Sequence, residues 1–452
     1  MTPPSARQLM SMALPLMGSL LASISMLIVD GIACGHIADH GVSLTALGYG
    51  VQIWFLLAFP MMSALGVGTV AIASRAHGAG DTARVNHVLA QSTQLAVLAG
   101  IVLGAVCIAA GSLPFRALGA SPEVAAKGAS YLRMMMFALP VFLFADGCLA
   151  AALRSVGKPR LPFATDLAAT LVNVLLNYGL VFGHFGLPEL GIAGAGLATA
   201  ISRVLSVGLL VAVIHANNVG GLRVRLRVVA IDRPIVQQIL RVGLPALFER
   251  VIFYASMTAL IWILARVDET SVAAHGIGSR VAALLLIPAF GLSMATGALV
   301  GKALGAGSAD DARRIVRLSS LAVLAIMVPI AAATFIGAGA ITAAYDVVAG
   351  SPLDAYTVSW LRLIALSVVL QGVLLAFEGL LMGAGASRTV MRINLIANLG
   401  LRVTLAMLLG LATDLGAVGV WLSWPAALLV QLPLVFVAYR RGRWAVTGVG
   451  VK

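Results

Sequence analysis

The chain has 452 residues, 60% hydrophobic and only 10% charged, with a mean hydropathy of +1.02. A soluble domain of this length carries far more charge, so the composition excludes one and reads as an integral membrane protein. The net charge of +13 does not mark a nucleic-acid binder, because the basic residues gather in short gaps between apolar segments.

The first apolar run, Met10 to Val29, is longer than a secretory-signal core and leads into Asp30-Gly31, not a small-residue cleavage pattern. It reads as the first span. Apolar stretches of about twenty residues follow along the whole length, and only helices of that length satisfy their own backbone in lipid. Twelve spans are expected: Met10 to Gly35, Leu44 to Val70, Leu89 to Leu113, Ser130 to Leu153, Leu161 to Phe182, Leu190 to His215, Val242 to Ala265, Ser271 to Val300, Leu318 to Gly337, Val358 to Met382, Ile393 to Leu411 and Leu415 to Ala438. Cys34, Cys107 and Cys148 all fall in apolar segments, at spacings that suit neither a disulfide framework nor a metal site.

The chain reads twice. Ala13-Leu14-Pro15 returns as Gly243-Leu244-Pro245, Gly78-Ala79-Gly80-Asp81 as Gly305-Ala306-Gly307-Ser308, and Leu190 to Gly194 as Leu415 to Gly419. Six spans per repeat give both halves the same orientation, so the expected fold is all-α, with two six-helix lobes related by a pseudo-two-fold axis along the membrane normal. The lobes are expected at residues 1–220 and 238–452, joined by a cytoplasmic linker at 221–237 that carries Arg223, Arg225, Arg227 and Arg233. Twenty of the loop Lys and Arg residues fall on one side of this topology. Only Arg116, Lys127 and Arg266 fall on the other. That bias puts both termini in the cytoplasm.

Charges inside spans are costly and mark functional candidates. Asp30 lies about seven residues from the outer end of the first span, with no basic residue one turn away. Desolvation drives such a carboxylate toward taking up a proton. Glu249 lies two turns into the seventh span, and its neighbour Arg250 points about 100° away, so the two need not pair. Asn173 and Asn177, four apart, share one face of the fifth span. Thr199 in the sixth span is a weaker candidate, because Thr commonly bonds its own helix. Asp146, Asp166, Arg203, Arg280, Arg362, Glu378, Arg392 and Arg402 are among the other span charges, with Glu378 in the tenth span foremost. His36, Asp39 and His40 have a spacing that metals use, but they sit in an outer loop without a third ligand set, and no cofactor motif is present. The prolines Pro15, Pro140, Pro245 and Pro288 are expected kink points.

At Ala13-Leu14-Pro15, Val29-Asp30-Gly31, Gly78 to Asp81, Asn173 to Tyr178, Leu190 to Thr199, Gly243-Leu244-Pro245 with Glu249, Val272 to His275 and Gly383-Ala384-Gly385, the chain resembles the multidrug and toxic compound extrusion (MATE) family, closest to its bacterial NorM-type branch. The resemblance implies export of cationic amphiphilic compounds against H⁺ or Na⁺, without a cofactor or catalytic residues. It places Asp30, Asn173, Asn177 and Thr199 in a first-lobe ion site and Glu249 in a second acidic site. The tenth-span acid of that second site falls on Gln371 here, a neutral oxygen, unless Glu378 takes its place from two turns along. Loss of that acid weighs toward H⁺.

The expected partners are small cationic substrates and membrane lipids, with the chain acting as a monomer. A lipid-carrier flippase of the same superfamily is the rival reading and would want Arg203, Arg280 and Arg402 lining a cavity. An intramembrane enzyme would need a convergent nucleophile–base or metal set, for which only the His36 segment offers a start.

Overall fold

A computed structural model describes residues 4–224 and 229–447. Arg225 and Arg227 of the expected linker, and Lys452, lie outside the described residues. The described chain is all-helical, with eleven helices long and apolar enough to cross a membrane, or twelve when one bent pair counts as a single span. The chain is a multi-pass membrane protein with six spans in each half.

The first six spans are α1 (Ala6–Gly35), α2 (His40–Gly78), α3 (Thr82–Ala110), α4 (Pro122–Phe137) with its continuation to Ser155, α5 (Arg160–Phe182) and α6 (Ile192–Asn217). The second six are α7 (Arg233–Val267), α8 (Glu269–Leu285) with α9 (Ile287–Gly305), α10 (Ala309–Ile336), α11 (Pro352–Gly383), α12 (Ser387–Asn394) continuing into α13 (Val403–Leu411), and α14 (Gly416–Arg440). Each helix turns small and polar residues inward and leaves aliphatic side chains such as Ile101, Val102, Leu171 and Leu175 exposed, the arrangement lipid demands.

The expected kink prolines act in two ways. Pro15 and Pro245 sit inside the continuous helices α1 and α7. Pro140 and Pro288 sit at breaks: the fourth span bends by 52° between Phe137 and Leu139, and Pro288 opens α9 after the interruption at Leu286. Two spans also contain π-helical stretches, Leu143–Leu149 and Leu395–Arg402, which no residue pattern announced.

The duplication is visible atom by atom. Thr69 Oγ1 donates to Ser92 Oγ at 2.8 Å, and 227 residues later Thr296 donates to Ser319 at 2.8 Å. Asp81 caps α3 through Arg84 N, as Ser308 caps α10 through Asp311 N. Gly191 precedes α6 and Gly416 opens α14, at φ 55° and 52°, a left-handed conformation that favours glycine. Three residues on, Gly194 and Gly419 press against carbonyls of the preceding span. A Cβ there would lie 2.4 Å from Leu180 O and 2.2 Å from Leu409 O.

The chain packs as two compact units, Gly18–Leu244 and Met1–Met17 with Pro245–Lys452. It changes unit inside α1 and α7, beside Pro15 and Pro245, and not at the 221–237 linker. The physical reason is that α3 holds the linker. Asn86 bonds Gly221 O and Arg223 N, Gln94 bonds Val229 O, Gln91 bonds Ala230 O and Asp232 N, and His87 pairs with Asp232 at 2.8 Å. Asp232 also accepts from Ile235 N in the first turn of α7.

Candidate functional site

In the first unit, α1, α5 and α6 bring Asp30, Asn173, Asn177 and Thr199 into one buried cluster. Asp30 is 1% exposed and Asn173 fully buried. Asn177 Nδ2 donates to Asp30 Oδ1 at 2.9 Å and to the Asn173 carbonyl at 3.1 Å. Thr199 Oγ1 donates to the carboxylate at 3.0 and 3.2 Å and accepts from Asn173 Nδ2 at 2.9 Å. Tyr131 on α4, also buried, reaches the same carboxylate. Asp30 is thus held by neutral groups alone.

The amide orientation has a chemical consequence. The two acceptors on its Nδ2 fix how Asn177 faces, and its Oδ1, like that of Asn173, is buried without a hydrogen-bond partner. Two free oxygen acceptors beside a carboxylate suit a bound cation or the proton-bearing form of the acid. On its open side Asn177 helps to line a cavity of about 530 Å³ with Val29, Ile32, Tyr178, Phe182 and His184. Tyr178 stacks on His184 with ring centroids 4.3 Å apart.

Nearer the other end of the same helices, Arg203 Nη1 pairs with Asp166 at 2.9 Å and Asp146 at 3.5 Å. Its guanidinium also stands 5.5 Å from the Phe142 ring.

The second unit holds a second acidic cluster, on α7, α11, α12 and α14. Asn394 Nδ2 donates to Glu249 Oε1 at 3.1 Å and to Glu378 Oε1 at 3.3 Å. Gln431 donates to Asn394 Oδ1 and, at 3.5 Å, to Glu378. Arg250 Nε lies 3.3 Å from Glu249 Oε2, so the neighbours do pair. Glu378, not Gln371, stands beside Glu249. Gln371 lies two turns away and accepts from Trp424 Nε1 at 3.3 Å. Asn394 and Gln431 were missed from sequence. Asn394 had a signal, since it is four residues from Asn398, as Asn173 is from Asn177, and Asn398 donates to it at 3.0 Å. A lone Gln431 had none.

The two clusters are not copies of each other. At the repeat offset of 230, Asp30 corresponds to Leu260 and Glu249 to Ser19. Between α1 and α2, Asp39 pairs with Lys127 and accepts from Ser43, while His36 bonds the Ile32 carbonyl.

The MatE family model matches residues 15–179 and 245–408, one copy in each half. The chain belongs to the MatE family. A probable multidrug resistance protein NorM from Thermotoga maritima is 26% identical over 98% of this chain and 94% of its own length. One of the same name from Bradyrhizobium diazoefficiens is 28% identical over 95% and 92%. Among solved structures, a MATE protein in complex with MaD3S superposes at TM-score 0.88 with 20% identity, covering 98% of this chain and 96% of that one. A MOP superfamily transporter from Pyrococcus furiosus superposes at 0.89 with 20% identity, over 97% and 96%. These structures share the fold. Asp30, Asn173 and Asn177 lie in the first MatE segment and Glu249, Gln371, Glu378 and Asn394 in the second. Thr199 and Gln431 fall outside both, so each MatE cluster is completed by a span beyond the matched segments.

Proposed function

We propose that this MatE protein is a secondary antiporter that exports cationic amphiphilic compounds in exchange for H⁺, or Na⁺ in its place, by alternating access. It would act as a monomer in a bacterial inner membrane with both termini cytoplasmic, as the positive-inside bias indicates. The names of the NorM relatives support multidrug export. The observation that carries the ion-exchange reading is Asp30, a buried carboxylate whose direct partners are all neutral.

Ionised, Asp30 accepts from Asn177 and Thr199, and the cluster is drawn together. When the carboxylate takes up a proton, it gains an O–H donor and loses most of its pull on those donors. The unpartnered oxygens of Asn173 and Asn177 stand ready to accept that O–H, or to complete the ligand shell of a sodium ion. Either event changes the packing of α1 against α5 and α6. A substrate cation seated in the aromatic-lined cavity beside Asn177 feels the ionised carboxylate and loses that attraction when the charge is neutralised. Exchange follows because ion and substrate favour different states of one carboxylate.

Glu249 and Glu378 form the second acidic station, with Asn394 as the shared donor. The flippase reading loses support from Arg203, whose charge is occupied by Asp166 and Asp146.

Ethidium transport in proteoliposomes, under a proton gradient and separately under a sodium gradient, tests the proposal. Transport driven by either ion supports it and identifies the ion. Absence of transport under both contradicts it.

A further inference from the structure

The exchange scheme gives no task to His36, first met as the start of a metal spacing, or to His184. The structure brings the two to one cavity. Val29, Ile32 and His36 follow one face of α1 at intervals of three and four residues, and they form one wall of the cavity of about 530 Å³. Asn177, Tyr178 and His184 line it from α5 and the turn beyond. All of these residues belong to the unit Gly18–Leu244.

The walls run from the helix ends down to the ion site. Helix α1 ends at Gly35 and α5 at Phe182, so both imidazoles stand just past a helix C-terminus, on the side that the charge bias makes extracellular. Both residues are exposed. The inner wall is Asn177, which lines the cavity and donates through Nδ2 to Asp30 Oδ1 at 2.9 Å. Asp30 itself is 1% exposed. It precedes His36 by six residues, roughly 9 Å along the helix axis. A water takes about 30 Å³ of liquid, so the cavity has room for a chain of waters over that distance.

The imidazoles have the chemistry to load such a chain. His36 Nδ1 lies 2.8 Å from the Ile32 carbonyl. A carbonyl only accepts, so in the neutral ring Nδ1 carries the hydrogen and Nε2 keeps the lone pair. Nε2 is therefore the atom that gains and loses a proton. Tyr178 stacks on His184 at 4.3 Å and holds that ring at the wall. Imidazole is the side chain suited to relaying protons near neutral pH, and the negative ends of two helix dipoles draw cations to the same place. Among the described residues, the other titratable or charged groups along this route are Asp39, paired with Lys127, Glu189, packed on Gly183, and Cys34 and Tyr131 beside Asp30.

We infer that this cavity is the proton's route to Asp30, and that His36 and His184 collect protons from the outer solution and pass them into it. A proton leaves hydronium or a buffer acid for His36 Nε2 or the His184 ring, moves along cavity water and ends as the O–H of Asp30, while the ring returns to neutral. Only bonds to hydrogen form and break. The inference rests on the proposed exchange at Asp30 and names the residues that supply its proton.

A pH jump tests it. Purified full-length protein with bound ethidium is mixed from about pH 8 to about pH 6, across the range in which imidazole titrates, in dilute buffer. Ethidium release is followed by stopped-flow fluorescence polarisation for wild type, His36→Gln, His184→Gln and the double variant, with and without added imidazole at constant ionic strength. Dilution at constant pH gives each protein its own release baseline. The expected result is pH-triggered release about ten-fold slower in the double variant and restored by imidazole. The loss is smaller than the hundred-fold that a positioned proton-transfer group typically contributes, because water also enters the cavity. A double variant as fast as wild type overturns the inference. So does a slow variant that imidazole does not restore, since a structural defect is blind to a free proton carrier. Wild type that releases ethidium on addition of sodium but not on the pH drop also overturns it, and leaves the exchange reading standing. Should the double variant fail to fold, the single variants decide by the same criteria. Wild type that binds no ethidium, or releases none with either ion, contradicts the exchange reading itself, and the inference falls with it.

Discussion

Glu249 and Glu378, 129 residues apart in sequence, accept hydrogen bonds from the same amide nitrogen of Asn394, at 3.1 and 3.3 Å. Two carboxylates drawn to one donor repel each other when both are ionised, and Asn394 offsets that repulsion. Asn394→Ala should therefore lower stability in detergent by about 1–3 kcal/mol, the cost of leaving buried acceptors unsatisfied. Adding Glu378→Gln should recover part of the loss by removing one of the like charges. A double-mutant cycle on thermal unfolding checks this; strict additivity of the two substitutions would separate the residues energetically.

Gly194 and Gly419 hold the last span of each repeat against a neighbouring carbonyl. Gly194→Ala and Gly419→Ala should each destabilise the protein by about 1–3 kcal/mol, because a methyl group has to displace backbone. At Gly208, on the same helix as Gly194, an added Cβ would meet nothing within 4 Å, so Gly208→Ala should leave the melting temperature level or slightly higher. Equal melting temperatures for all three variants would remove the packing argument.

The α3 grip on the linker predicts a pattern of proteolysis. His87→Ala should speed trypsin cleavage after Arg223, since the hydrogen bond to Asp232 and the alignment of Ala230 beside it are weakened. The hydrogen bond from His87 holds the Asp232 carboxyl below the usual carboxylate range. A depressed acid contributes stability that is present above its unfolded value, about 3.9, and lost as pH falls through the lower folded value. The linker should thus stay protected at neutral pH and lose this contribution only below about pH 4. Unchanged cleavage rates in His87→Ala would make the grip incidental.

Much of this was legible in the sequence because lipid makes the rules strict. A carboxylate in an apolar span is so costly that Asp30 identified itself, and two amides four residues apart had to share a face. The apolar stretches gave twelve spans, and the repeated turns divided them into two equivalent halves. What stayed hidden depended on three-dimensional neighbours. Whether Gln371 or Glu378 stands beside Glu249 is decided by how far along its axis α11 meets α7, because residues seven apart share one face, and that offset is not encoded in either helix alone. The π-helical stretches arise from backbone adjustment where helices meet. Asn86, Gln91 and Gln94 read as ordinary polar residues near a helix end, and only the path of the linker across them gives them a task.

The central claim is that Asp30 carries the exchanged ion. The most direct measurement is Asp30→Asn in proteoliposomes, with ethidium transport driven by an ion gradient and ethidium counterflow without a gradient measured side by side. The amide keeps the shape and a hydrogen-bonding oxygen but cannot gain or lose a proton near neutral pH. The account predicts that gradient-driven transport is lost while insertion in the membrane is unchanged and counterflow persists. Gradient-driven transport at the wild-type rate in Asp30→Asn would contradict it.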